Sequence, residues 1–166
     1  MKNILIISAT SGKNYVLAKE IRSLLETKDI EYKLLKLEDL SVPLYNPKIE
    51  KNTDLEDITR LDKLFQNTDS FIFCAPEYNG SIPPILTNVI AWISVKTSNW
   101  RGAFNGKSAL ICTHSGGEGN NIISAIRIQL NHLGVIVLPR AISKTDDSPL
   151  NKESASKILD QLISIT

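Results

Sequence analysis

The stretch Ser70–Ser81 reads "SFIFCAPEYNGS", an apolar run that breaks into a polar hexapeptide. "SFIFCA" shows no polar alternation, as expected of a parallel strand covered on both faces. Pro76 ends it, because proline has no N–H to give to a ladder, and Gly80 opens dihedral space that other residues avoid. Downstream, "PPILTNVIAWIS" (Pro83–Ser94) starts with proline where a helix tolerates one. The unit reads strand, polar loop, helix.

The same unit recurs on both sides. Upstream, "KNILIIS" (Lys2–Ser8) is a short aliphatic strand. "NYVLAKEIRSLLE" (Asn14–Glu26) follows as a helix, with Val16, Leu17, Ile21, Leu24 and Leu25 on one face and Asn14 as its cap. "EYKLLKL" (Glu31–Leu37) has the look of an edge strand. The loop "SVPLYNP" then leads to a helix within Asp54–Asn67, where Leu55, Ile58, Leu61, Leu64 and Phe65 repeat at helical spacing. Downstream come a strand at Lys107–His114, the glycine-rich "SGGEGN" and a helix over roughly Asn121–Leu133. A fifth strand, "GVIVL", and a closing helix at Lys152–Ile165 complete the chain.

Five βα units in succession imply a parallel sheet with helices on both faces, because right-handed crossovers leave few other arrangements. Five strands are too few for an eight-stranded barrel. The expected fold is α/β: a flavodoxin-like three-layer sandwich whose five-stranded parallel sheet has the order 2-1-3-4-5. In that order ligands bind at the carboxyl ends of the strands, in the crevice between strands one and three. "PEYNGS" leaves strand three at that edge, beside the loop that leaves strand one.

Composition bounds the partners. The 166 residues are 42% hydrophobic, which suits a single domain over 1–166 with one sizeable core. The net charge is +1 with the basic residues dispersed, so neither a nucleic-acid footprint nor a polybasic membrane patch is expected. The apolar runs are too short to span a bilayer, and the one near Met1 lacks the length and end of a signal peptide. A cytoplasmic location is expected. Cys74 and Cys112 sit inside apolar β-like runs and read as buried thiols. His114 and His132 have no cysteine or carboxylate at a zinc-like spacing, so no metal site is expected.

Three loops carry the functional reading. "SATSGKN" (Ser8–Asn14) places hydroxyls at Ser8, Thr10 and Ser11, then Gly12, Lys13 and Asn14, at the entry to a helix. Unpaired N–H groups and a partial positive charge at a helix N-terminus suit a phosphate. The loop is not a Walker motif, since Ile7 stands in place of the first glycine and Asn14 in place of Ser/Thr. By itself it reads equally well as a polar βα turn. In "PEYNGS", Tyr78 can cover an apolar ring. "HSGGEGN" (His114–Asn120) offers the Gly116–Gly117 backbone to flank the same ring. A planar heterocycle bearing a phosphate fits all three.

Over essentially its full length the chain resembles the NADPH-dependent FMN reductases, a flavodoxin-like group with quinone, azo-dye and chromate reductases among its members. "PEYNGSIPPILTNVIAW" (Pro76–Trp92) is similar to the family's P-E-Y-N-x-S-x-P-x-x-L-K-N-x-x-D-W, supported by "VPLYNP" and by the "SGG" of Ser115, Gly116 and Gly117. The resemblance implies that Pro76, Glu77, Tyr78, Asn79, Gly80 and Ser81 contact an isoalloxazine ring, and that Ser8–Asn14 hold the flavin phosphate. Thr87 and Ala91 stand where the family has lysine and aspartate, on a helix that in the family helps form the subunit interface. Thr10 and Lys13 stand where many members show arginine and a later serine.

A bound flavin performs the hydride chemistry itself, so no catalytic acid or base is expected among the side chains. The expected activity is ping-pong transfer from NADPH or NADH through FMN to a small-molecule electron acceptor such as a quinone, an azo compound or free flavin. The alternative is a flavodoxin-type electron carrier, for which a strongly acidic surface is expected and not found in this balanced composition. Val89, Ile90, Trp92, Ile93, Val95 and Trp100 exceed what one helix face needs to cover a sheet. They lead to the expectation of a homodimer or homotetramer.

Overall fold

The computed structural model describes residues 2–50, 56–96 and 101–166. Strand β1 (Asn3–Ser8) leads into α1 (Lys13–Leu25), and β2 (Glu31–Lys36) ends in a 3-10 turn at Leu37–Asp39. A four-residue helix α2 (Pro47–Glu50) and α3 (Glu56–Gln66) precede β3 (Ser70–Cys74) and α4 (Pro84–Lys96). The chain continues through β4 (Ser108–His114), α5 (Asn120–His132), β5 (Ile136–Val137), β6 (Ile142–Lys144) and α6 (Lys152–Ile165).

All strand pairs are parallel, in the order β2-β1-β3-β4-β5 with β6 also on β4. The expected order holds, and a sixth strand is added to the expected five. Alternate residues of each central strand enter different layers, as period-two geometry requires. Leu5, Ile7, Phe71, Phe73, Ala109 and Ile111 pack with α3, α4 and α5. Ile4, Ile6, Ile72, Cys74, Leu110 and Cys112 pack with α1 and α6 on the other face. Every residue of β3 and β4 is buried, which is why their sequences lack polar alternation.

Of the expected fifth strand "GVIVL" only Ile136–Val137 forms β5, and the edge resumes beyond it as β6 (Ile142–Lys144). Pairing runs from Ala109 opposite Val137 to Cys112 opposite Ile142, so the edge chain advances five positions where β4 advances three. Pro139 lies in the interruption and has no N–H to give, so the ladder breaks there and resumes at Ile142. Arg127 of α5 donates to the carbonyls of Leu138 and Pro139 that the break exposes.

Two other expectations are corrected. Val16 is exposed, because the buried stripe of α1 runs through Leu17, Ala18, Ile21 and Leu25 and Val16 falls off it. Val89, Ile90, Trp92 and Ile93 are buried within this chain, which removes the reasoning that led to an intersubunit face. The segment before α2 packs on this helix: Trp92 Nε1 and Asn88 Nδ2 both donate to the Pro43 carbonyl, at 2.8 and 2.9 Å. The Tyr45 ring meets Trp92 edge-on at 5.2 Å. Leu55, at the start of the helix expected over Asp54–Asn67, and Trp100 lie outside the described residues.

Candidate functional site

The hexapeptide that ends β3 is a tight two-residue hairpin. Tyr78 and Ser81 exchange both backbone bonds, at 3.1 and 2.9 Å. Between them Asn79 and Gly80 have φ of 50° and 70°. Positive φ at both central positions is the signature of a type I′ turn, for which Asn-Gly is the preferred pair. The turn leaves Tyr78 half exposed beside the sheet edge.

Glu77 joins this loop to the one after β4. Its N–H donates to Ser115 Oγ at 2.9 Å, and Ser115 Oγ in turn pairs with Thr113 Oγ1 at 2.8 Å. The Glu77 carboxylate accepts from the Ile122 N–H and from Asn121 Nδ2, both at 3.2 Å. Helix α5 starts from Gly119 in a left-handed conformation without a side-chain cap of its own. Glu77 supplies that cap from another loop, a favourable place for a carboxylate near a helix N-terminus. The ionisable residue of the hexapeptide thus has a structural partner.

The first loop is tied to β4 as well. Helix α1 begins at Lys13 with Gly12 at the cap position, and Asn14 is not the cap expected of it. Its buried side chain bridges to the His114 backbone instead, with Nδ2 donating to the carbonyl at 2.8 Å and Oδ1 accepting from the N–H at 2.9 Å. Ser8 is fully buried and donates to the Thr10 carbonyl at 2.8 Å. The N–H of Ser11 is taken by the Glu38 carboxylate, from the turn after β2. Lys13 forms an exposed ion pair with Asp146, whose other oxygen shares a hydrogen bond with His114 Nε2 at 3.0 Å. The Lys13 ammonium, together with His114, holds the Asp146 carboxyl below the usual carboxylate range. His114 Nδ1 is buried with no hydrogen-bond partner among the described residues.

These loops enclose an open cleft of about 440 Å³ at the carboxyl ends of the strands. Thr10, Ser11, Gly12, Lys13 and Asn14 line it from the first loop, Pro76, Glu77 and Tyr78 from the second, Ser115 and Gly116 from the third. Ser8 lies beneath, and Asn79, Gly80, Ser81 and Gly117 do not line it. Glu38 and His114 do, and sequence reasoning missed both. The strand order held a signal for them: Glu38 follows β2, the neighbour of β1, and His114 ends β4, the neighbour of β3. A hollow of about 460 Å³ opens at the amino ends of β1 and β2. It meets Leu64, Asn67 and Thr68 at the carboxyl end of α3, where the helix dipole disfavours an anion, so it is the weaker candidate. Among the described residues no group of His, Cys, Asp or Glu is arranged to hold a metal ion, and no helix is long and apolar enough to cross a membrane.

A doubly wound 2-1-3-4-5 sheet with its loops gathered at one carboxyl-edge cleft defines a flavodoxin-like protein. Residues 1–147 match the family model of NADPH-dependent FMN reductases, and the chain belongs to that family. Among solved structures it is similar to FerB, a flavoenzyme NAD(P)H:(acceptor) oxidoreductase from Paracoccus denitrificans. Identity there is 23% and the TM-score 0.77, over 99% of this chain and 95% of that one. An FMN-dependent NADH-azoreductase from Bacillus anthracis, in complex with FMN, matches with TM-score 0.68 and 15% identity, over 99% of this chain and 98% of that one. At such identities the likeness is one of fold. An uncharacterized protein of Mycoplasma pneumoniae is 29% identical over 100 residues, 60% of this chain. The matched region spans 59% of that curated relative's length.

Proposed function

We propose that the protein binds FMN in the carboxyl-edge cleft and acts as an NAD(P)H-dependent reductase. NADPH or NADH is the donor, and quinones, azo compounds, free flavin or similar small molecules are the acceptors. The observation that carries this reading is the convergence of three loops on one cleft of about 440 Å³, a size typical of small-molecule sites. The backbone there is accessible to a ligand: a Cβ built on Gly12, Gly116 or Gly117 meets no described atom within 4 Å. Ser11, Gly12 and Lys13 would hold the phosphate at the start of α1, with Thr10 beside them. Ser8 and Asn14 would support that loop from beneath, through their bonds to Thr10 and His114. Pro76, Glu77 and Tyr78 would border the ring, on the turn that Asn79, Gly80 and Ser81 close, with Ser115, Gly116 and Gly117 completing the enclosure.

When bound, FMN would supply the redox chemistry, with the nicotinamide donor and the electron acceptor using the cleft in turn, which is the ping-pong order. The side chains orient and enclose. Glu77 is committed to α5 and is not asked to move a proton. Assembly as a homodimer or homotetramer belongs to the same reading, supported by exposed Val95 on α4 and by exposed Leu44, which stands between Pro43 and Tyr45 where that segment meets α4. Light scattering at micromolar concentration should give at least twice the monomer mass, and a monomer would remove that part.

Steady-state rates measured with NADPH and a quinone both varied test the enzyme reading. Parallel double-reciprocal lines are expected. Intersecting lines would overturn the ping-pong order, and a flavin-loaded protein without turnover would leave the electron carrier.

A further inference from the structure

The geometry points to Glu38 as the residue that sets how much the protein gains from the flavin phosphate. This rests on the flavin reading of the cleft. Helix α1 has no side-chain cap, and its entry loop is where the phosphate would sit. One N–H of that loop, on Ser11, already has an anionic partner in the Glu38 carboxylate. Glu38 is exposed and stands on the turn after β2, so it reaches the loop from the side of the cleft. A phosphate seeking that N–H meets a competitor of the same charge.

The neighbouring charges do not offset this. Among the described residues lining the cleft, Lys13 is the one lysine or arginine, while Glu38 and Glu77 are both acidic, the Glu77 carboxylate being engaged by the start of α5. Lys13 is itself paired with Asp146. A dianionic phosphate must therefore displace Glu38 from Ser11 and share Lys13 with Asp146. An uncharged ribityl chain meets neither demand. Glu38 thus lowers the selectivity for FMN over riboflavin.

Equilibrium titration of the flavin-free full chain with FMN and with riboflavin, followed by flavin fluorescence, tests this in the native protein and in Glu38→Gln and Glu38→Ala. Native protein should prefer FMN by less than about tenfold. Both variants should tighten FMN by about two- to fivefold, the scale of an exposed charge pair, and leave riboflavin unchanged. Agreement between glutamine and alanine would assign the effect to the lost charge and not to a new amide contact. An FMN-to-riboflavin ratio that stays the same or falls in both variants would overturn the inference and leave the flavin site standing. Absence of any flavin binding in all three proteins would overturn the flavin reading together with it.

Discussion

Replacing Asn14 by alanine should destabilise the protein more than any exposed change in the same loop. Asn14 is 1% exposed and bridges α1 to the end of β4 through two bonds to one residue, His114, at 2.8 and 2.9 Å. Alanine removes both and leaves a backbone N–H and a carbonyl unpaired at a buried strand end. An unsatisfied buried group costs roughly 1–3 kcal/mol, and water from the adjoining cleft recovers part of it, so the sum is about 2–4 kcal/mol. In a chain of this length about 1 kcal/mol moves Tm by about 2–4 °C, which gives a fall of about 5–15 °C. Urea unfolding should show a lower midpoint with an unchanged slope, since the folded surface is the same. Asn14→Asp keeps the acceptor, loses the donor and sets a charge against the His114 carbonyl, so it should be no milder. A loss below about 0.5 kcal/mol in both variants, the range of ordinary surface changes, would refute the bridge.

Three further outcomes follow from neighbouring geometry. Gly119→Ala should cost about 2–4 kcal/mol, because φ is +69° and the added Cβ would lie 2.6 Å from Thr113 Cγ2; a stability within about 0.5 kcal/mol of native would contradict it. Glu77→Ala should cost about 1–2 kcal/mol and show faster amide exchange at Ile122, whose N–H loses its acceptor; unchanged exchange there would remove Glu77 as the α5 cap. Burial lowers the Lys107 pKa to about 8, against the opposing pull of Asp69. The unfolded chain, with lysine near 10.4, then binds more protons between about pH 8 and 10.4, so this residue's contribution to stability rises with pH across that window. Lys107 is half buried, and screening reduces the effect to about 1 kcal/mol. Lys107→Met should flatten the rise, and identical pH profiles would exclude the shift.

The layered order of the fold was legible because each central strand is buried on both faces and helices such as α1, α3 and α6 carry an apolar stripe. These are local, periodic signals. The Asn79–Gly80 turn was equally available in the sequence, since positive φ at two successive residues favours that pair. What escaped depends on contacts between distant residues. The apolar excess on α4 suggested a partner subunit, yet the Pro43–Tyr45 segment lies over that side through bonds from Asn88 and Trp92. The division of the last strand follows from Pro139, but "ISK" (Ile142–Lys144) is too short and polar to register as a strand.

Within the cleft the glycines and hydroxyls announced themselves by type. Glu38, and Asp146 behind His114, did not, because nothing in their local sequence marks them, and His114 stood at the head of the third loop with no role read for its side chain. Glu38 lies 27 positions from Ser11, and Asp146 lies 133 from Lys13. Only the strand order brings those ends together. Asn14 was conspicuous at a helix start, where an amide usually caps; its real partner is 100 positions away.

Anaerobic addition of FMN and then NADPH or NADH to the purified protein, followed by absorption spectroscopy, tests the central claim most directly. Saturable perturbation of the flavin spectrum on mixing, and bleaching of its visible band on adding the nicotinamide, is the predicted result. A protein that neither perturbs the flavin spectrum nor promotes its reduction by either nicotinamide would contradict the account.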